Sequence, residues 1–178
     1  MRSALAGVLA AALLFGGCSA ATRDGVDGTP AGSELWRTAA LRDVVTGEEF
    51  RITDLEGKVV AIEVMAIWCA TCRTQQLEAR AALDTLGSSD VAYISLDVDP
   101  NERAEDLAEY ARREGFDWRF AVAEPEVSRS LVATFGDQIL SPPSTPLVIL
   151  DPEGRVVEQH IGVTGARALV ALFEEHLP

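Results

Sequence analysis

Residues Val59 to Ala66 are apolar at every position except Glu63, and four of the eight are β-branched. Such a run predicts a strand buried on both faces of a sheet. Val91–Leu96 predicts a second buried strand, and Trp118–Val122 a shorter one. Between Trp36 and Ile52, short alternating runs are broken by Thr46-Gly47, a hairpin signal. Leu147–Leu150 and Arg155–Ile161 predict another hairpin, closing around Asp151-Pro152-Glu153-Gly154.

The intervening segments carry helical signals. Ala70–Leu86 lacks Gly and Pro, has leucines at 77, 83 and 86, and is followed by Gly87. Asp99-Pro100-Asn101-Glu102 predicts a helix start. There Asp99 would cap, Pro100 would take the first turn and Glu102 would close a capping box. That helix is expected to reach about Arg113, with Gly115 behind it. Pro125–Phe135 predicts a helix, and Thr164 is expected to cap the last one, Ala166–His176. Strands alternating with helices predict an α/β fold whose sheet has a parallel part covered on both faces. The closing hairpin makes the central sheet mixed.

The first segment reads as an address. Arg2 is the only charge before Arg23, and Ala4–Phe15 is strongly apolar. A basic start, an apolar run of this length and small residues behind it describe a cleavable signal. The run ends in Leu14-Phe15-Gly16-Gly17-Cys18-Ser19, which resembles the lipobox of bacterial lipoproteins. That resemblance implies cleavage before Cys18 and a lipid on its sulfur. The expected organisation is residues 1–17 as signal, 18–33 as lipidated cysteine and flexible tether, and 34–178 as the folded domain. An uncleaved anchor or ordinary secretion would also put the domain outside the cytoplasm. A lipid anchor on the cell membrane is the expected location, on its periplasmic or outer face.

The chain has 178 residues, enough for one domain with a full core. Acids outnumber bases 28 to 15, for a formal charge of -13, and only Lys58 among the bases is lysine. That balance repels phosphate backbones, so no nucleic-acid partner is expected. Three cysteines are too few for a disulfide scaffold or a four-cysteine zinc site. If Cys18 carries lipid, Cys69 and Cys72 remain as a pair.

That pair sits in Trp68-Cys69-Ala70-Thr71-Cys72, between a buried strand and a helix. Spacing of three places both sulfurs on one helical turn. A helix N-terminus offers unpaired N–H groups and a partial positive charge, which stabilise a thiolate on Cys69. Such placement lowers a cysteine pKa to about 3.5–7.5. Cys69 is therefore expected to be the exposed, attacking sulfur, with Cys72 resolving the mixed disulfide. A structural disulfide over so small a loop would constrain the unfolded chain little. A zinc site would need two more ligands, and His160 and His176 are the only histidines. Asp97-x-Asp99-x-Asn101 looks like a calcium loop, but Glu102 and Ala108 stand where Gly and Glu are needed.

At these residues the chain resembles the thioredoxin superfamily, most closely the TlpA-like, membrane-tethered thiol–disulfide oxidoreductases. The resemblance spans about residues 38–176 and rests on LRDVVTGEEFRITDLEGKVVAIEVMAIWCATC. It implies a thioredoxin-like fold with an N-terminal hairpin and a central βα insertion. It also implies a protein disulfide oxidoreductase with Cys69 as nucleophile and Cys72 as resolving cysteine. No cofactor beyond the redox-active Cys69–Cys72 disulfide is implied. Trp68 matches the tryptophan that shields the disulfide. Glu63 stands where thioredoxins carry a buried acid, and is expected to exchange a proton with Cys72. Pro146 matches the family's cis-proline, and the backbone of Thr145 is expected to pair with the client strand. The family further implies a reductant for client proteins such as apocytochrome c, a membrane electron donor and a monomer. The rival reading is a copper-delivery protein related to the Sco group, using Cys69, Cys72 and His160. That group normally spaces its cysteines by three residues, not two.

Overall fold

The computed structural model describes residues 34–178. The expected signal, Cys18 and the tether lie outside the described residues. The chain order is α1 (Leu35–Thr38), β1 (Leu41–Arg42), β2 (Glu49–Phe50), β3 (Val59–Met65), α2 (Ala70–Leu86), β4 (Val91–Asp97), α3 (Ala104–Glu114), β5 (Arg119–Val122), α4 (Pro125–Phe135), β6 (Leu147–Leu150), β7 (Val156–His160) and α5 (Ala166–His176). The main sheet runs β5-β4-β3-β6-β7. Its β3, β4 and β5 are parallel, while β6 and β7 are antiparallel to their neighbours. The β1–β2 hairpin forms its own small sheet. The α3–β5–α4 stretch supplies the inserted edge strand.

Every residue of β3 is buried, as a run apolar on both faces requires. Val60, Ile62 and Val64 join Ile94, Leu96, Val148 and Leu150 in a core closed by Trp36, Val127 and Leu131 from α1 and α4. On the other face, Val59 and Ala61 meet Ala79 and Ala82 of α2 and Leu169 and Phe173 of α5. Nearer the C-terminal end of β3, Met65 packs with both cysteines and with Leu107 and Tyr110 of α3. The start of α2 is thereby seated over the sheet at the point where β3 ends.

Several boundaries depart from the local signals. α3 begins at Ala104, with Arg103 at its N-cap, not at Asp99. Glu102 is engaged by the distant Ile67 N–H, and Asp99 splits its oxygens between the distant Trp68 indole and a local turn on the Asn101 N–H, ahead of the helix. α5 has Gly165 at its N-cap instead of Thr164, and Glu78 of α2 takes the Ala166 N–H at 2.7 Å. The leucines that signalled α2 are half-buried, and its inward face is Cys72, Gln75, Gln76, Ala79 and Ala82.

Ile62 is 1% exposed between the parallel and antiparallel halves of the sheet. Ile62→Ala should lower stability by about 2–5 kcal/mol, read as a lower urea midpoint with an unchanged slope. A change below about 1 kcal/mol would mean that the site is not close-packed.

Candidate active site

Cys69 occupies the N-cap of α2, in extended conformation, and its Sγ accepts the Cys72 N–H at 3.1 Å. The helix thus offers one of its free N–H groups to this sulfur. Cys69 and Cys72 are joined as a disulfide. Thr71 Oγ1 lies 3.3 Å from Cys69 Sγ and donates to the Pro143 carbonyl at 3.1 Å. Cys72 Sγ lies 3.2 Å from the Pro142 carbonyl oxygen, which is placed to accept an S–H after reduction. A turn at Pro142–Ser144 therefore closes over the sulfurs. Cys69 is only 3% exposed in this oxidised form and Cys72 is 0% exposed. The expectation of an open Cys69 is corrected on this point, because Thr71 and the proline turn crowd it.

Trp68 is 59% exposed beside the disulfide. Its indole N–H donates to Asp99 at 2.6 Å, and the Ile67 N–H donates to Glu102 at 2.8 Å. The turn after β4 therefore grips the residues that lead into Cys69. The Trp68 indole holds the Asp99 carboxyl below its usual range. Beneath them Asp97 is fully buried, with one oxygen accepting the Asp99 N–H at 2.9 Å. Burial, reinforced by the Glu102 carboxylate, pushes Asp97 up to about 8.

Glu63 is in register with Ser95 of β4 and shares its face with Ala61 and Met65, toward α2. It is 0% exposed, so it does not escape to solvent at the sheet end. Ser95 Oγ donates to it at 3.1 Å and the Tyr93 hydroxyl at 3.4 Å. Burial pushes its carboxyl up to about 8, against the lowering pull of Ser95, Gln76 and Tyr93. Gln76 lies one helical turn beyond Cys72, so the acid sits under the turn that carries Cys72.

This fold recurs among solved structures. A thiol:disulfide interchange protein of the thioredoxin family from Chlorobium tepidum TLS matches with TM-score 0.62 and 19% identity. The match covers 78% of this chain and 92% of that chain. BsSco, a member of the Sco family of cytochrome c oxidase assembly proteins, matches with TM-score 0.63 and 16% identity, over 78% of this chain and 90% of that one. The exposed lipoprotein thioredoxin Etrx1 from Streptococcus pneumoniae TIGR4 matches with TM-score 0.58 and 22% identity, over 76% and 97%. The chain has a thioredoxin-like fold. No family model matches the sequence, and no curated protein does.

Within this thioredoxin fold, the proline site differs from expectation. No peptide bond among the described residues is cis, so Thr145–Pro146 is trans. The chain reverses instead through Thr145 itself, which is left-handed at φ 46°. Its N–H is turned back onto the Pro142 carbonyl at 2.8 Å. Thr145 is buried, so that N–H is not free for an incoming strand. The Pro146 carbonyl accepts from Val64 of β3 and extends the sheet ladder. His160 ends β7, paired in register with Leu147. Among the described residues no group of three His, Cys, Asp or Glu side chains is placed to hold a metal.

Gln75 and Gln76 belong to this neighbourhood and were not singled out by sequence reasoning, while Asp97 and Glu102, met in the sequence as a calcium-loop look-alike and a helix cap, are placed here instead. Counting three and four residues on from Cys72 would have found the two glutamines, because those positions share its helix face.

A carboxyl raised to about 8 binds a proton in the fold that it does not bind when unfolded between its ordinary value and 8. The fold is therefore favoured at pH 5 and loses that advantage as pH rises through about 8. Glu63→Gln should flatten this loss, removing on the order of 3–5 kcal/mol of pH dependence. Urea midpoints at pH 5, 7 and 9 measure it. The part due to Asp97, which has the same sign, should persist in the variant. Parallel profiles for wild type and variant would show that Glu63 is ionised throughout.

Proposed function

We propose that the chain is a thiol–disulfide oxidoreductase that exchanges disulfides with client proteins, acting as a reductant. The observation that carries this is the Cys69–Cys72 disulfide at the N-terminus of α2, with Cys69 Sγ accepting the Cys72 N–H. In the reduced protein that N–H and the helix dipole favour the Cys69 thiolate. The thiolate attacks one sulfur of a client disulfide, and the client's other sulfur leaves as a thiolate. Cys72 then loses its proton and attacks Cys69 Sγ, which breaks the mixed disulfide and releases the client's second thiolate. Two electrons pass from protein to client. Glu63, in its ionised form, takes up the Cys72 proton, and that form grows as pH approaches 8. Its pKa of about 8 lies close to the 8.5 of an ordinary thiol, so the transfer is nearly balanced. Electrons return from a membrane donor, and apocytochrome c is among the clients that suit such a reductant.

The site works outside the cytoplasm, held at the membrane by lipid on Cys18. This reading rests on Arg2, the apolar run to Phe15 and Gly16-Gly17-Cys18. A structural neighbour named as an exposed lipoprotein thioredoxin agrees with it. Among the described residues, no helix is long and apolar enough to cross a membrane.

A Cys72→Ser variant is expected to accumulate a mixed disulfide through Cys69, which mass spectrometry identifies. Cys69→Ser should trap nothing. Equal trapping by both variants, or none by either, would overturn the assignment of nucleophile and resolving thiol.

The likeness to BsSco keeps copper delivery as the second reading. Against it, His160 does not form a three-ligand set with the two cysteines. Copper(I) titration of the reduced domain separates the readings. Tight one-to-one binding lost in His160→Ala supports delivery, and binding indifferent to His160 supports exchange alone.

A further inference from the structure

The site has a wall that the sulfur chemistry does not use. Residues 161–164 connect β7 to α5 without regular structure. The Gly162 N–H donates at 2.8 Å to the carbonyl of Ser144, within the turn that lies against Cys72 and Thr71. On either side of Gly162, Ile161 is 37% exposed and Val163 is 41% exposed. Two open apolar side chains therefore flank the turn that covers the disulfide, on a segment with no ladder of its own.

What fixes this segment is a side chain of the cysteine helix. Gln75 is 0% exposed and lies three residues after Cys72 on the inward face of α2. Its Oε1 accepts the Thr164 N–H at 2.6 Å, and its Nε2 donates to the Thr164 carbonyl at 3.3 Å. The amide thus pairs with the Thr164 backbone much as a neighbouring strand would. A leucine there would bury more easily, because an amide must regain in the fold the hydrogen bonds it gives up in water. The two bonds to Thr164 meet that need, and they set the distance between the sulfurs and the 161–164 wall.

We infer that Gln75 is a positioning residue for the client: it holds Ile161 and Val163 beside the turn that covers the disulfide, and so favours client segments with apolar side chains next to the reacting cysteine. This rests on the oxidoreductase reading above. Gln75 acts through Thr164 and touches neither sulfur, so it bears on client docking more than on the exchange step.

The test compares two disulfides: insulin, a protein client, and hydroxyethyl disulfide, too small to reach the wall. In Gln75→Met, KM for insulin should rise about fivefold with little change in kcat, the scale of one neutral hydrogen bond. The insulin to hydroxyethyl disulfide ratio of kcat/KM should fall by the same factor. Val163→Ser, an exposed change that leaves the fold intact, should lower that ratio about twofold, and it decides the matter if Gln75→Met does not fold. A general loss of structure would reduce both substrates together and leave the ratio unmoved. Unchanged ratios in a wild type active on both substrates would overturn the role of Gln75 alone. A wild type inert toward both would overturn the oxidoreductase reading beneath it.

Discussion

The backbone N–H of Cys72, aimed at Sγ of Cys69 from 3.1 Å, is the interaction on which this molecule's chemistry depends. Little else in the chain supplies positive potential to that sulfur, because acids dominate the composition. The helix end supplies it from the backbone, in fixed geometry and without a cation. In the disulfide the N–H meets a neutral sulfur, and after reduction it meets a charged one and the bond strengthens. Taken alone this pulls the equilibrium toward the reduced pair and toward an oxidising potential. The buried Glu63 beneath the same helical turn is held neutral by burial up to about 8, so it adds no opposing charge below that pH and opposes a thiolate only as it ionises. Both groups are placed by where β3 ends and α2 begins.

The inward face of α2 also explains why so much polarity sits in the core. Cys72, Gln75 and Gln76 occupy it where a packing helix would ordinarily present leucines. Each has a partner of its own. Cys72 meets the Pro142 carbonyl, Gln75 the Thr164 backbone, and Gln76 the Tyr110 hydroxyl. Below this row lies Glu63, tied to β4 through Ser95 and Tyr93. Further along α2 the polarity stops, and Ala79 and Ala82 let the helix close on the sheet and on Phe173. One helix therefore has a chemical half near the disulfide and a structural half away from it. The small residues of the second half hold the first at a constant height over β3.

Most of the architecture was legible, because burial imposes its period on the sequence. Val59–Met65 reads as a central strand because every residue of it is enclosed. Ala70–Leu86 reads as a helix ended by Gly87 because a left-handed C-cap tolerates glycine best. The misreadings fall where a local rule competes with a distant partner. Asp99 and Glu102 have the spacing of a capping box, yet Glu102 and one oxygen of Asp99 are taken by Ile67 and Trp68, 35 and 31 residues away, and the other Asp99 oxygen closes a local turn on the Asn101 N–H. Capping rules see four residues and cannot register that competition. Thr145-Pro146 failed for a related reason: an X–Pro pair does not declare its isomer, and the reversal is made by the φ of Thr145. Gln75 and Gln76 were missed because buried amides leave no periodic hydrophobic trace.

The proline turn has a consequence for how a client is held. With the Thr145 N–H spent on Pro142, backbone pairing at that residue loses its donor. Under the proposed function, side chains around the disulfide gain weight in holding a client, and two sets of different character stand there. Trp68 presents a broad exposed ring, steadied through its indole N–H by a carboxylate held below its usual pKa range. Ile161 and Val163 present a small apolar wall, steadied through the backbone by a neutral amide. The first is held through a carboxylate and the second through an uncharged amide. The exposed apolar side chains and the buried carboxyls of raised pKa are thus separate groups around the same disulfide.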